Sequence, residues 1–409
     1  MKLHFKSPYL RHIATLLSGT ALAQAILVLA LPFLTRLFTP DDFGLYGIFV
    51  AISSVLGMVI NGRFEIAILL PKEEEEAKSV YSISLITCFI LCLVFGIIGT
   101  LFTLLFFREY LDLLVWVFLA IFFQGLLQPS QRWLLKENDF KKLTISRVAG
   151  SLITVGLSVM LAFMGFEFKG LVLGKIAGLV TEGLVSGAFH RLGFIHYGFN
   201  RETFSKYNGF LKFSSLESLV NNGFKQLPVI VLGSWFNEAL AGFFTLAMNA
   251  ISRPSGMLSQ AVGQVFFTRA AKMAGNDLET FFLKNLRFSF LIGFIPSLII
   301  VFWGPTLFSF VFGAQWSEAG LYAQWLMPFV FVTFLKSPVS SIIDLKNKMH
   351  KNLLFELGFL LNTVLSFWIG IVLDDGLLGV ILFSCFNSIL GLIQLWTFYK
   401  WSKLKSAFQ

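Results

Sequence analysis

Apolar residues fill this chain in long runs, each broken by a short charged or turn-forming stretch. Twelve runs, near 13–34, 44–70, 79–107, 113–135, 143–165, 168–189, 209–233, 239–265, 285–312, 319–343, 353–373 and 376–399, approach or exceed the roughly 20 residues that a membrane-spanning helix needs. In lipid such a run must be helical, because each backbone N–H and C=O then finds its partner within the segment. The ten-residue alternation of a membrane β-barrel is missing. The first run carries Ala21-Leu22-Ala23, the small-x-small form of a cleavage site, yet stays apolar to Leu34, which predicts a span rather than a removed leader.

Composition agrees with that pattern. The 409 residues are 56% hydrophobic and 13% charged, against about 25% charged in soluble domains. The net charge of +9 would fit a nucleic-acid surface only on a folded soluble face, and its distribution argues otherwise. With both termini cytoplasmic, 25 of the 32 Lys and Arg fall inside and only Arg36, Arg108 and Lys169 fall outside, a strong positive-inside bias. No stretch between runs is long enough for a soluble domain, the longest lying near 190–208. The three cysteines have no histidine or carboxylate at ligand spacing and read as apolar filler; no metal site is expected.

Two self-similarities predict a duplication. Phe38–Tyr46 (FTPDDFGLY) aligns with Phe236–Phe244 (FNEALAGFF), and Pro129–Asn138 aligns with Pro338–Asn347. The expectation is an all-α membrane protein with halves 1–205 and 206–409, six helices each. An even number of helices per half relates the copies by an axis along the membrane normal, with a substrate site between them. Gly170, Gly174 and Gly178 form a four-residue ladder suited to close helix packing.

Charged groups in lipid are costly and by default functional. Lys175, Lys225, Arg253 and Lys336 lie inside apolar runs, and Arg36 and Arg63 lie at the ends of the first two. Together they predict a basic cavity for a phosphate or pyrophosphate, against the alternative that the arginines snorkel and Lys175 pairs with Glu182. In the seventh run Asn221, Asn222, Lys225 and Gln226 make two i,i+4 pairs, with Glu217 one turn earlier; amides beside a cation suit a sugar-phosphate headgroup. Gln24 and Gln260 extend that lining. Glu65, Glu217 and Glu356 are the candidate proton or cation sites. No HExxH, G-x-S-x-G or Walker A sequence is present, so neither enzymatic chemistry nor nucleotide hydrolysis is predicted. No cofactor is called for, and any coupling would run on Na+ or H+.

The stretches Gly19-Thr20-Ala21-Leu22-Ala23-Gln24, Pro32–Tyr46 and Gly62–Lys72 (GRFEIAILLPK) resemble the opening of Wzx-type polysaccharide flippases, and Pro254 with Gly263–Phe267 is similar to that family's eighth-helix ending. The resemblance implies two six-helix bundles forming a V-shaped alternating-access cavity. It implies a partner too: an oligosaccharide on undecaprenyl pyrophosphate, flipped across the inner membrane alongside a polymerase and chain-length machinery, with no nucleic acid or nucleotide involved. Its motif covers Arg36 and Arg63. A multidrug antiporter of the same fold would favour cavity carboxylates over lysines, a lipid II flippase would carry fourteen helices, and a glycosyltransferase would need a large outer loop. A structural scaffold would leave the cations in lipid unexplained. After Pro71, Glu73–Glu76 predict the solvated start of the third helix, where acids favour the helix dipole.

Overall fold

A computed structural model describes residues 8–403 except 107, 271, 272, 274 and 347; the side chains of 8–18, 109, 213, 220, 221, 275 and 276 lie outside the description. The described chain is nearly all helical. It packs as two compact units, Met1–Ala30 with Leu45–Gln226 and Leu31–Gly44 with Leu227–Gln409.

The first unit takes in most of α1 (Pro8–Leu37) and α2 (Pro40–Val59), then α3 (Phe64–Ala67), α4 (Glu74–Phe106), α5 (Leu111–Lys136), α6 (Phe140–Phe163), α7 (Phe168–Ser186), α8 (Arg201–Gly209) and the start of α9 (Ser215–Val231). The glycine ladder of α7 packs on α6: a Cβ on Gly178 would come within 2.7 Å of the Gly150 carbonyl, and one on Gly174 within 2.7 Å of the Thr154 carbonyl. At Gly187 (φ 83°) α7 stops, and the chain bends by 72° into a strap, His190–Tyr197. Arg191 holds this bend, donating to the Ser186 carbonyl (2.7 Å), Ser130 Oγ (3.0 Å) and Glu137 Oε2 (3.3 Å). The acidic run begins α4 as expected: Glu74 pairs with Lys78 at 2.7 Å, and Glu76 accepts from Lys206 and Tyr207 of α8.

The second unit takes in the end of α1 and start of α2, then α10 (Glu238–Ala270), α11 (Gly275–Phe312), α12 (Ser317–Lys336), α13 (Ile342–Leu345), α14 (Met349–Val372) and α15 (Gly376–Ser402). Within it the first predicted repeat becomes a matched pair of helix starts. Thr39 and Asn237, equivalent in the alignment, each begin a helix: Asp42 Oδ2 accepts from the Thr39 N–H (2.9 Å), and Asn237 Oδ1 accepts from the Leu240 N–H (2.9 Å). Gly44 and Gly242, also equivalent, pack reciprocally, the first against the Glu238 backbone and the second against Pro40. The second alignment pairs unlike structure, since Pro129 lies inside α5 and Pro338 opens a 3-10 turn after α12.

Because the Thr39 N–H turns to Asp42, the Thr35 carbonyl loses its helical partner. Trp316 Nε1 (2.7 Å) and Gln315 Nε2 (2.8 Å) donate to it instead, and the fully buried Trp316 ring meets Phe43 edge-on at 5.0 Å. Trp316→Phe keeps the ring contact and removes one donor. It should cost about 1 kcal/mol, read as a melting temperature lowered by a few degrees in detergent; unchanged melting would mean that Gln315 alone satisfies the carbonyl.

Nine described helices are long and apolar enough to cross a membrane, or ten with the bent pair Phe168–Ser186 and His190–Tyr197 taken as one. The other two of the twelve expected spans are helical as well. Here α9 has 17 residues between two π-turns, and α10 is long but carries Asn249, Arg253, Gln260 and Gln264. These are the segments whose polar residues were singled out as a lining, and that polarity is what lowers their hydropathy. The second span is shorter than expected: α2 ends at Val59, and Gly62 (φ 59°) and Arg63 (φ 62°) turn the chain before α3.

Candidate functional site

The turn after α2 is built on Asn61. This fully buried amide donates to the carbonyls of Gly125 (2.9 Å) and Ser84 (3.2 Å), where a continuing helix would have offered only its own backbone. Gly62 is needed next: besides its positive φ, a Cβ there would approach Leu211 and Thr87 to about 3 Å. Phe64 then plugs the core beside Tyr81 and Trp133 and packs on Phe204. These anchors fix Arg63 and Glu65, whose Nη1 and Oε1 lie 3.5 Å apart. Arg63 is 21% exposed at its side chain and Glu65 only 2%, so the carboxylate is inside and its cation at the edge. Arg63 Nε, Glu65 Oε2 and Asn61 Oδ1 have no hydrogen-bond partner among the described residues.

A second polar group lies in the same unit. Gln131 Nε2 of α5 donates to Glu182 Oε1 of α7 at 2.7 Å, and Arg147 Nη1 of α6 donates to Thr20 Oγ1 of α1 at 2.6 Å. The Thr20 contact is possible because α1 and α6 meet at Gly19, where any Cβ would run into Thr144. Glu182 feels the charges of Lys175 and Arg147. Arg132 lies within electrostatic reach of both Arg147 and Glu65, which links this group to the Arg63 turn. Arg63, Arg132, Arg147 and Lys175 are all half-buried. Four cations over two carboxylates leave a positive surplus, and a partly desolvated surplus of that sign favours an anion.

In the second unit, Lys336 Nζ donates to Gln394 Oε1 (2.7 Å), Gln394 Nε2 donates to Asn352 Oδ1 (2.8 Å), and Asn352 Nδ2 reaches Glu356 Oε1 (3.5 Å). Lys336 also stands 4.1 Å from the Phe359 ring centroid. Two residues picked separately from the sequence, one as a substrate cation and one as an ion site, are thus joined through two amides on α14 and α15. Gln394 is buried, and Gln394→Leu would remove the hydrogen bonds it makes with Lys336 and Asn352. The expected cost is about 1–3 kcal/mol together with reduced transport; transport equal to that of the unmodified protein would mean that the connection carries no function.

A family model described as "Polysaccharide biosynthesis protein" matches residues 33–320. The chain belongs to that family. No curated protein matches it. Among solved structures, the lipid II flippase MurJ in an inward closed conformation superposes with a TM-score of 0.73 at 14% identity, covering 93% of this chain and 85% of that one. An inward-facing multidrug resistance MATE transporter of the MOP superfamily reaches 0.55 at 17% identity, covering 94% and 95%. A MOP-superfamily transporter from Pyrococcus furiosus, described as having a binding pocket of reverse polarity, reaches 0.54 at 16% identity, covering 96% and 94%. This polysaccharide biosynthesis family member therefore shares the fold of these three structures, as its resemblance to Wzx-type flippases implied. MurJ, set further away by helix count, superposes better than either of the other two.

The remaining predicted residues of this family member are more scattered. Arg36 is exposed in the last turn of α1, and Gln24 is half-buried further back on that helix. On α9, Lys225 is exposed with its ammonium 5.6 Å from the Phe224 ring centroid, Glu217 is exposed and Gln226 half-buried. Asn222 donates to the Ser218 carbonyl at 3.0 Å and to Met58 Sδ, the helix-satisfied state of an amide; the Asn221 side chain lies outside the described residues. Arg253 is half-buried and Gln260 exposed on α10. Among the described residues, no group of three or more His, Cys, Asp or Glu is placed to hold a metal ion. Sequence reasoning missed Arg132, Arg147, Gln131, Asn352 and Gln394. The two arginines had a signal, since they fall inside the runs 113–135 and 143–165 although they were counted with the inner loops.

Proposed function

We propose that the protein translocates undecaprenyl-pyrophosphate-linked oligosaccharide units, of the kind that build O-antigen or capsule, from the cytoplasmic to the periplasmic leaflet. The observation that carries this reading is the cation surplus of the first unit, in a chain whose family is polysaccharide biosynthesis. A pyrophosphate brings the negative charge that Arg63, Arg132, Arg147 and Lys175 lack, and membrane-buried cations kept without such a ligand would be a standing cost. The proposal includes an inner-membrane location, both termini in the cytoplasm and alternating access by the halves 1–205 and 206–409. It also includes proton or Na+ coupling at Glu65, Glu217 or Glu356, and hand-over to a polysaccharide polymerase and its chain-length machinery. Lys225, Arg253, Lys336, Arg36 and the amides Gln24, Asn221, Asn222, Gln226 and Gln260 are its further substrate contacts.

The MATE neighbours favour a second reading, export of cationic drugs. Such a substrate needs receptive carboxylates, and the first unit offers the opposite balance. Deleting the gene separates the two: lipid-linked repeat units should accumulate in the inner leaflet and surface polysaccharide should be lost, whereas unchanged polysaccharide with heightened sensitivity to cationic dyes would reverse the choice.

A further inference from the structure

The second unit contains a cleft of about 430 Å3 that none of the residues above explains. It is walled by Trp235, Phe236 and Asn237 from the junction of α9 and α10, by Tyr322 from the first turns of α12, and by Asp374 and Asp375 from the turn between α14 and α15. These junctions lie at the Lys/Arg-poor end of the helices, the one predicted to face outward. Gly376, also in the wall, is closely packed: a Cβ there would press on Leu232, Leu240 and Phe236 at 3.2–3.4 Å, so a larger residue has to shift Leu240 and Phe236, which line the cleft as well.

We propose that this cleft binds a sugar ring of the transported oligosaccharide at the outer face, an inference that rests on the flippase reading above. Its chemistry is that of a carbohydrate subsite. Trp235 is 59% exposed, leaving a flat apolar face for the C–H side of a pyranose. Tyr322, one of the lining residues, is only 2% exposed, and its buried hydroxyl has no hydrogen-bond partner among the described residues, a donor and acceptor beside the cleft that a small shift would offer to a sugar hydroxyl. Asp374 and Asp375 supply carboxylate acceptors for ring hydroxyls. Asp375 already accepts from the Leu378 N–H at 2.9 Å, which holds its carboxylate, and Asp374 sits beside it in the same turn at φ 52°. Among the described residues, no Lys, Arg or His lines the cleft, which disfavours the pyrophosphate and leaves the uncharged sugar as the part that fits. The volume is within the usual range of small-molecule sites.

The test uses the full chain in nanodiscs and saturation-transfer NMR with D-glucose, D-galactose, N-acetyl-D-glucosamine and L-rhamnose as probes, and with tetraphenylphosphonium as a competitor. At least one sugar should receive saturation. That signal should fall at least about tenfold in Trp235→Ala, fall in Asp374→Asn and Tyr322→Phe, vanish in Gly376→Leu, and persist in the control Trp303→Ala. Tyr322→Phe and Asp374→Asn are conservative enough to be scored even if Gly376→Leu does not fold. The inference is overturned if no probe receives saturation, if Trp235→Ala and Trp303→Ala behave alike, or if tetraphenylphosphonium binds the cleft and no sugar displaces it. Lipid-linked oligosaccharide translocation in the same preparation keeps the two ideas apart. Translocation without sugar binding at the cleft removes only the inference, and sugar binding without translocation removes only the flippase reading.

Discussion

Arg63→Ala should abolish polysaccharide export and also lower the amount of protein in the membrane, for two separable reasons. The first is structural. Arg63 is the cation paired at 3.5 Å with Glu65, a carboxylate whose side chain is 2% exposed. Removing one partner of a buried pair typically costs about 3–5 kcal/mol, because the other charge is left uncompensated. The second is functional, since Arg63 is the partly exposed member of the pair and belongs to the cation surplus of the first unit. The double variant Arg63→Ala/Glu65→Gln removes the stranded charge and should restore protein to near its normal level while export stays absent. Membrane immunoblots beside a surface-polysaccharide gel read both quantities. Export returning in the double variant would make Arg63 purely structural.

The second large effect is expected at Gly242. A Cβ on this residue would run into the Pro40 carbonyl and come within 3.1 Å of the Gly44 N. Backbone on the other side cannot swing away as a side chain does. Gly242→Leu should therefore cost about 3 kcal/mol or more, and Gly44→Leu, packed reciprocally against Glu238, should behave in the same way. A Cβ on Gly256 of the same helix meets nothing within 4 Å, and Gly256→Leu is the control expected to accumulate normally. Thermal melting in detergent checks this, and equal stability of Gly242→Leu and Gly256→Leu would contradict the close crossing.

The helices were legible because lipid leaves the backbone few alternatives, and so were the glycine ladder on α7 and the acidic start of α4. The duplication was visible only as a Phe, a Gly and an aromatic at matched spacing, and it proved to mark two helix starts capped by Thr39 with Asp42 and by Asn237. What stayed hidden depends on partners far along the chain. The break after Val59 needs the Asn61 amide to find the carbonyls of Ser84 and Gly125, 23 and 64 residues away. Asn352 and Gln394 look like ordinary helix amides until Gln394 is seen to join Lys336, 58 residues away, to Asn352, 42 residues away. Arg132 and Arg147 were overlooked for another reason. They lie about one and two turns from the α5–α6 loop, close enough to its lysines to be counted as topology signals rather than as part of a site.

The central claim is tested most directly by reconstituting the purified protein into vesicles that carry fluorescent undecaprenyl-pyrophosphate oligosaccharide in the inner leaflet, and measuring how fast the sugar becomes accessible to a glycosidase added outside. The account predicts protein-dependent exposure of the sugar, lost in Arg63→Ala/Glu65→Gln; exposure no faster than in protein-free vesicles would contradict it.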